Sequence, residues 1–457
     1  MTDPSLRPAS APDTALAPRT LDLAAGPARV LVLPTPAPDV VSFRASLLTA
    51  PDLSAGEDVT QALLADLLDK GTRRRDRHAI AEALDGRGAR LSFYSDGLRL
   101  GFAGRALAAD LADVLALAAE MLTEPAFDPD EVRKAQAQAE AGIRQAREST
   151  AAMASGALAR CLYGAAHPNY VHTPDAEAAL LMAVTPESLA AYHAAHVGAD
   201  GLTLAVAGDV DVERVRASVA DAFAALAPHG RAATFDATAA PSAPAREDVP
   251  LADRPNLDVR FGHPVGLRRG DADFVALHTG VFVLGGNFSS RLMQTIRDEQ
   301  GLTYGISAAL AGVAAEHDCD LRVSVGLSGP DLDRGIAAVR DEVARFVAGG
   351  VDAPTLATAQ STLAGQHVVA MATTGGLAAR LLVNAERGFD VAYLDRYPDL
   401  VRDLTPSAVT DAIRSHLRPA DLHVTVAGTV PAASPITPPN ESGVSPAAPS
   451  GASPGQP

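Results

Sequence analysis

An arginine and a tyrosine, both able to hydrogen-bond to a polarised carbonyl group, lie seven positions apart in the second half of this chain. Arg297 and Tyr304 belong to the segment GGNFSSRLMQTIRDEQGLTYGIS, which spans 285–307. A guanidinium group grips a carbonyl or carboxylate oxygen with paired N–H donors, and a tyrosine hydroxyl is a neutral donor. The structural alternatives are a surface ion pair of Arg297 with Asp298 or Glu299 and a half-buried strand position for Tyr304. Spacing alone favours these alternatives.

The histidines and cysteines do not occur at spacings that predict a metal site. His196 and His416 are equivalent in an internal repeat, which favours a shared structural role. Cys161 and Cys319 lie in different halves, so the sequence indicates neither a disulfide framework nor a thiolate site and favours a reducing compartment. For the triplet Arg73–Arg75, a solvated loop is favoured over contact with an acidic peptide or partner. The other histidines without ligand spacing are His78, His167, His263 and His278.

An internal repeat reveals the elements that must position these residues. Val184–Gly208 matches Leu404–Gly428 at a displacement of 220 positions, and each copy opens with Thr-Pro and closes on an alternating strand that ends at Gly. A Thr hydroxyl caps a helix, and Pro fits its first turn. Phe127–Gln136 likewise resembles Val351–Gln360 at an offset of 224. The chain is therefore a tandem duplication of two similar domains.

Strand and helix patterns recur in both halves and predict an α+β fold, with helices on one face of a largely antiparallel sheet in each domain. Helices are expected at 106–122 and 331–347. Expected strands are Arg29–Leu33, Val41–Leu47 and Arg99–Phe102 in the first half, and Asp258–Phe261, Tyr304–Ala308 and Leu321–Leu327 in the second.

Segments without helical or strand period set the expected domain limits. Residues 20–227 and 251–430 form the two domains, and the Pro- and Ala-rich stretch 228–250 is the linker. Residues 1–19 are expected to be a disordered lead-in, and 431–457 a disordered tail.

Composition narrows the classes of partner. The 457 residues allow two to four domains of roughly 100 to 200 residues each, and 38 basic against 55 acidic residues give a net charge of -17. This balance disfavours nucleic acid and anionic membranes as partners. The N-terminal stretch lacks an apolar run long enough for a signal peptide or anchor, so a cytoplasmic location is expected.

Several segments together resemble the pitrilysin (insulinase) family of inverted-motif zinc peptidases, over about residues 20 to 430. The S-R-L run, the later Arg297 and the Gly-Leu-x-Tyr that ends at Tyr304 are similar to a segment in the family's second half. Tyr163–Pro168 and Val206–Val210 resemble the family's F-G-x-x-H-P and V-x-G-D-V segments. The length is similar to that of the short subfamily whose active unit pairs two chains, as in mitochondrial processing peptidase. The resemblance implies a processing-peptidase-like fold, forming half of a clam-shaped chamber.

The family's metal motif is not retained. Active members carry H-x-x-E-H on a helix before Lys-Gly-Thr, with two His on zinc and the Glu activating water. Here Lys70–Thr72 is present, but the motif positions hold Ala62, Ala65 and Asp66. The third ligand would fall near Ala141 or Gly142. Glu140 is the nearest carboxylate. Each residue between it and the expected ligand position turns its side chain by about 100° around the helix, so it points away from the site. We expect no catalytic residues and no zinc in this chain.

The resemblance therefore implies a non-catalytic, substrate-binding subunit. Arg297 and Tyr304 would hold a peptide against a zinc site on a homologous partner, in a heterodimer that cleaves peptides or unfolded segments. Gly285 and Gly286 either end the preceding apolar run or form a short counterpart of the family's substrate loop. A catalytically inactive scaffold, like respiratory-complex core proteins, is the main alternative. A peptide-binding homodimer is the third.

Overall fold

The computed structural model describes residues 15–230 and 232–430, so the expected tail at 431–457 and residues 1–14 of the expected lead-in lie outside the described residues. The strands are β1 (Leu21–Ala25), β2 (Ala28–Pro34), β3 (Val40–Leu48), β4 (Arg90–Asp96), β5 (Arg99–Leu107), β6 (Thr203–Gly208), β7 (Arg246–Pro250), β8 (Asn256–Pro264), β9 (Ile306–Ala311), β10 (Asp320–Ser328) and β11 (His423–Gly428).

The helices alternate with these strands in both halves. They are α1 (Glu57–Leu67), α2 (Arg77–Asp85), α3 (Leu111–Thr123), α4 (Pro129–Arg147), α5 (Thr150–Leu162), α6 (Pro174–Ala183), α7 (Pro186–His196), α8 (Val212–Ala222), α9 (Phe274–Gly285), α10 (Leu332–Gly349), α11 (Ala353–Ala370), α12 (Thr374–Glu386), α13 (Ala392–Arg402) and α14 (Pro406–His416). A π-helical segment covers Met293–Glu299, and short 3₁₀ turns cover Ala17–Arg19, Leu53–Ala55, Gly329–Asp331 and Pro419–Asp421.

The strands form two sheets of related topology, which confirms the α+β fold. The first has the order β1-β2-β6-β3-β5-β4, and the second has the order β7-β11-β8-β10-β9. Neighbouring strands are antiparallel except for β2 with β6 and β7 with β11. The repeat-related strands β6 and β11 thus occupy equivalent places, each with a parallel neighbour on one side.

Equivalent residues of the repeat form equivalent contacts. The hydroxyl groups of Thr185 and Thr405 accept hydrogen bonds from backbone N–H groups in the first turns of α7 and α14, at 3.1 and 3.2 Å. Gln136 donates its amide to carbonyls at the end of α6 and just beyond it, and Gln360 does the same at the end of α13. The duplication predicted from the sequence is therefore present in the contacts of both halves.

The two halves exchange helices. Helix α5 of the first half packs on β8 and β11 of the second sheet, and α12 of the second half packs on β3 and β6 of the first. Thr425 donates a 2.7 Å hydrogen bond to the carbonyl of Ala154 in α5, and the hydroxyls of Ser42 and Thr374 lie 2.9 Å apart. The large cores of both sheets lie on their other faces, around Phe102 in the first and Phe261 in the second. Each sheet is thereby covered on one face by a helix from the opposite half.

Three boundaries differ from the sequence prediction. Residues 15–19 are not disordered, because Leu16 is buried and the N–H groups of Leu16 and Ala17 donate to the Asp395 carboxylate at 2.7 and 2.8 Å. The last five residues of the expected linker form β7, since β11 offers them a parallel edge. Helix α3 begins at Leu111, because the backbone up to Leu107 pairs with β3.

Within the described residues, no single helix has both the length and the apolar composition needed to cross a membrane. The consecutive helices α11 and α12 meet that test only as a pair, and the chain bends by 111° between them.

Candidate functional site

Arg297 lies on the π-helical segment that follows α9. Met293 and Ile296 are buried and fix the segment against the second core, whereas the Arg297 side chain is 41% exposed. Its guanidinium lies 3.2 Å from the Asp298 carboxylate. The expected surface ion pair with Asp298 is therefore present, and at this exposure such a pair is weak enough for a ligand to replace it. Short π-helical segments occur often at functional sites.

Tyr304 is held in a fully solvent-exposed position. It is 100% exposed and precedes β9, so the expected strand position was wrong. Thr303 fixes the backbone here, because its hydroxyl donates to the carbonyl of Gly326 at 2.7 Å and accepts from the N–H of Gly305 at 3.2 Å. Buried Leu302 and Ile306 anchor the two sides of the turn. A rigid backbone therefore presents an aromatic hydroxyl to solvent.

The connection between α9 and β9 carries a further exposed aromatic residue that sequence reasoning missed. Phe288 is 82% exposed. No periodic pattern distinguishes it, and its only signal in the sequence was an apolar side chain in the turn-forming stretch Gly-Asn-Phe-Ser. Phe288, Arg297 and Tyr304 give this connection an apolar, a cationic and a neutral polar group.

Gly285 and Gly286 lie at the C-terminal end of α9. Gly285 is buried, and a Cβ at this position would collide with the backbone N of Ala308 in β9, so the glycine allows a close approach of helix and strand. A Cβ on Gly286 would collide with Phe282 in the preceding turn. Both glycines thus have packing reasons, and their contact with a substrate stays a prediction.

The three positions predicted to replace the metal motif lie on α1. Ala62 and Asp66 are exposed and one turn apart on the same face, and Ala65 is buried with 5% exposure. Although Asp66 is accessible at the surface, the protein around it partly desolvates its carboxyl group and raises its pKa, while nearby Lys70 opposes that increase. Two methyl groups and one carboxylate do not fit a zinc site, which needs three protein ligands and an open position.

The α4 region does not complete a ligand set. Glu140 is 2.6 Å from Arg144 in an ion pair, and space around Gly142 is open. Among residues 15–230 and 232–430, no group of three or more His, Cys, Asp or Glu side chains is arranged to hold a metal ion.

A cavity of about 230 Å³ borders α1 beside these positions, with Ala62 in its wall. It contains an ion pair that the sequence did not suggest, because the partners are 114 positions apart: His172 Nε2 lies 3.1 Å from the Asp58 carboxylate. The hydrogen bond with Asp58 raises the pKa of His172, and burial raises the pKa of nearby Glu177. The cavity beside α1 therefore contains ionisable side chains, but they are not arranged as metal ligands.

The remaining sequence candidates have structural partners. His196 and His416 each contact a carbonyl that directly follows a strand, Thr49 at 2.8 Å and Val265 at 3.3 Å, which confirms their shared structural role. Arg74 pairs with Glu124, Arg75 pairs with Glu120, and Arg73 is exposed. Cys161 and Cys319 are free thiols, and burial raises their pKa values to about 11 and about 12.

Fold and site together define a class of protein: a duplicated α+β chain with two mixed sheets and an exposed connection that carries Arg297 and Tyr304. Solved structures share this fold. The crystal structure of an M16 peptidase inactive domain from Pseudomonas fluorescens is 23% identical with a TM-score of 0.81, over 90% of this chain and 98% of that one. A protease from Helicobacter pylori is 16% identical with a TM-score of 0.77, over 89% and 98% of the two chains.

Family models match both halves. Residues 62–169 match insulinase, peptidase family M16, and residues 183–363 match the peptidase M16 inactive domain. Both halves of the chain are thus similar to peptidases of family M16. An uncharacterized zinc protease of Streptomyces coelicolor is 27% identical over 70% of this chain and 69% of its own length. A non-peptidase homolog of Helicobacter pylori, YmxG, is 22% identical over 79% and 82%.

Proposed function

We propose that this chain is the non-catalytic, substrate-binding subunit of a two-chain zinc peptidase. In this proposal, Arg297 and Tyr304 bind a peptide substrate while a homologous partner holds the same peptide at its own zinc site. The observation that carries the proposal is the contrast between the two halves. The first has Ala62 and Ala65 where ligands and base are required, whereas the second presents Arg297 and Tyr304 to solvent on a fixed backbone.

The anchoring of the connection supports a binding role. The N–H of Gly301 donates to the carbonyl of Arg297 at 3.0 Å, and that of Leu302 donates to Ile296 at 3.1 Å. Gly301 has φ +64°, which permits the tight turn that leads to Tyr304. A backbone held in this way loses little conformational entropy on binding, so the ordering cost falls on the Arg297 and Tyr304 side chains. Arg297 would grip a peptide carbonyl or carboxylate, and Tyr304 would donate its hydroxyl.

The position of β9 supports an extended substrate. This strand directly follows Tyr304 and is the last strand of the second sheet, so one edge of its backbone has no neighbouring strand among the described residues. An extended peptide can pair with such an edge by main-chain hydrogen bonds. Within the proposal, this pairing would align the peptide backbone beside Arg297 and Tyr304.

Co-expression with an M16 homologue that retains H-x-x-E-H tests the proposal. Peptide cleavage by the complex is measured for wild type, Arg297→Ala and Tyr304→Phe, with the exposed Arg334→Ala on α10 as the matched control. Loss of about 10²-fold in turnover by both site variants, with the complex still assembled, is the expected effect of removing a transition-state donor. Unchanged turnover in both site variants would reject the proposal. So would full activity of the partner alone.

An inactive scaffold subunit is the second candidate. The Arg297–Asp298 ion pair favours it, since this pair gives Arg297 a partner without any substrate. The name of the YmxG relative, a non-peptidase homolog, agrees with it. Assembly with a partner whose cleavage rate does not depend on Arg297 or Tyr304 would establish this alternative. Stoichiometric zinc in the isolated chain would contradict both candidates.

A further inference from the structure

A second cavity lies between the helical layer of the C-terminal half and β9, and neither Arg297 nor Tyr304 lines it. Its volume is about 330 Å³, and its walls come from α9, β9, α11, α12, α13 and the loops beside them. Its lining includes three arginines and four Phe or Tyr residues: Arg269, Arg380, Arg387, Phe274, Phe389, Tyr393 and Tyr397.

The three arginines of this cavity have no acidic partners. Among the described residues, the guanidinium groups of Arg269, Arg380 and Arg387 form neither an ion pair nor a hydrogen bond, and the cavity lining contains no Asp or Glu. This is unusual in a chain with net charge -17. Burial lowers the pKa of Arg387, and the positive charges of Arg269 and Arg380 lower it further. The neighbouring Glu386 opposes this decrease, but its carboxylate accepts a hydrogen bond from Ser46 and forms no ion pair with the three arginines. Three like charges without a paired carboxylate destabilise the folded state, so the arrangement indicates a binding function.

Two polar atoms are buried in the cavity wall without a protein partner. They are Nη1 of Arg269 and the hydroxyl oxygen of Tyr393. A buried donor without an acceptor costs free energy, which a ligand with acceptor oxygens would recover. Both donors suit a phosphate or carboxylate oxygen, and Arg387 adds a second guanidinium for the same group.

Aromatic rings form an apolar part of the cavity next to the arginines. The Arg269 guanidinium carbon lies 4.6 Å from the ring centre of Phe274 and 5.5 Å from that of Tyr393. Phe389 and Tyr393 stack with ring centres 4.0 Å apart. These contacts fix the direction of Arg269, and the flat ring faces are suited to a planar organic body.

The electrostatic environment of a neighbouring histidine agrees with an anion site. His278 lines the same cavity, and its pKa is lowered to about 4 by burial and then by Arg269 and Arg387. His278 is therefore neutral at pH 7. His367 lines the cavity as well, and burial lowers its pKa too. The arginines supply the positive charge of the cavity, and their charge does not change over the physiological pH range.

We infer that this cavity binds a small organic anion, a planar molecule that carries a phosphate or carboxylate group. Arg269, Arg387 and Tyr393 hold the anionic group, and Phe389 contacts the planar body. Arg380 is exposed at the rim and attracts the ligand. The site is independent of the proposed peptidase function.

Calorimetric titration of the purified full chain at low salt tests this assignment. The probes are phenyl phosphate, benzoate and neutral benzyl alcohol. Saturable binding of at least one of the two anions, weakened by added salt, with no binding of benzyl alcohol, is expected. Arg387→Gln should weaken anion binding about tenfold or more, and Arg334→Gln should leave it unchanged.

The ligand-free stability of the same variants separates a binding role from a structural one. If the arginines are kept for a ligand, Arg387→Gln relieves like-charge repulsion and raises the thermal midpoint of the ligand-free chain while it weakens anion binding. Arg380→Gln, at an exposed position, provides the same comparison should Arg387→Gln not fold. Absence of saturable binding of both anions by the wild type would overturn the inference. Wild-type affinity in both arginine variants, or an equal loss in Arg334→Gln, would overturn it as well.

Discussion

The hydroxyl of Tyr163 donates a 2.8 Å hydrogen bond to the carboxylate of Asp320, and both residues are buried. Tyr163 directly follows α5 of the first half, and Asp320 begins β10 of the second, so this bond joins the two halves. Burial raises the pKa of Asp320, and Arg322 at 3.2 Å opposes that increase. The exchange of α5 thus depends on a buried polar contact as well as on apolar packing.

Removal of this hydroxyl should destabilise the whole chain. Tyr163→Phe leaves the buried Asp320 carboxylate without one of its donors, so we expect a loss of about 1 to 3 kcal/mol in the free energy of unfolding. Urea denaturation followed by circular dichroism measures it. Tyr304→Phe is the matched control, because its hydroxyl is fully exposed and its loss should leave stability unchanged. Equal stability of both variants would contradict a stabilising role for the Tyr163–Asp320 bond.

Stability should fall with acid partly through His263. Its neutral ring is fixed by two contacts: Nδ1 lies 2.8 Å from the Pro264 carbonyl, and Nε2 accepts from the Arg418 N–H at 3.1 Å. Burial lowers its pKa from 6.5 to about 4. The unfolded chain therefore binds a proton near pH 6.5 that the folded chain does not bind until about pH 4. The stabilisation is present above pH 6.5 and is lost as pH falls toward 4, by about 3 kcal/mol.

His263→Gln tests the assignment of that pH dependence. The variant should be less stable than wild type at pH 7, because it loses packing and hydrogen bonds, yet its free energy of unfolding should decline less between pH 6.5 and 4. His78→Gln, at an exposed position, should retain the wild-type slope. An unchanged slope in His263→Gln would show that other groups cause the acid sensitivity.

The exchanged helices should make the two halves unfold together. Leu158 of α5 and Leu381 of α12 are buried with 0% and 1% exposure, each beneath the sheet of the opposite half. Leu158→Ala and Leu381→Ala should each cost about 2 to 5 kcal/mol and shift one common calorimetric transition. Met182→Ala on α6, where Met182 is 60% exposed, is the control. Two separate transitions, with only one shifted by each variant, would contradict this coupling.

A packing role for Gly285 predicts opposite effects of two glycine substitutions. Gly285→Ala should lower the thermal midpoint, because a Cβ collides with the backbone of Ala308. Gly142→Ala lies in an exposed part of α4 with open space, so it should stabilise by about 0.5 to 1 kcal/mol. Differential scanning calorimetry measures both. An unchanged thermal midpoint in Gly285→Ala would contradict the packing role of Gly285.

Much of the local structure was predictable from the sequence. Thr-Pro at the starts of α7 and α14 fixed those helix ends, because a capping hydroxyl and a first-turn proline act within a few residues. Alternation predicted β2, β3, β5, β8 and β10 at about their observed places. The duplication predicted two related sheets. The prediction that Tyr304 lies in a strand was wrong. The Thr303 hydroxyl donates to the carbonyl of Gly326, which is distant in sequence, and β9 begins only at Ile306.

The sequence by itself determined the duplication and the α+β class, because both are encoded in residue type and local spacing. Tertiary structure alone decided which helix covers which sheet, that Tyr304 is exposed, and that Arg269 and Arg387 share a cavity. The physical reason is that burial and charge pairing depend on contacts between residues far apart in sequence. A single chain offers many such pairings, and only the packed fold selects among them.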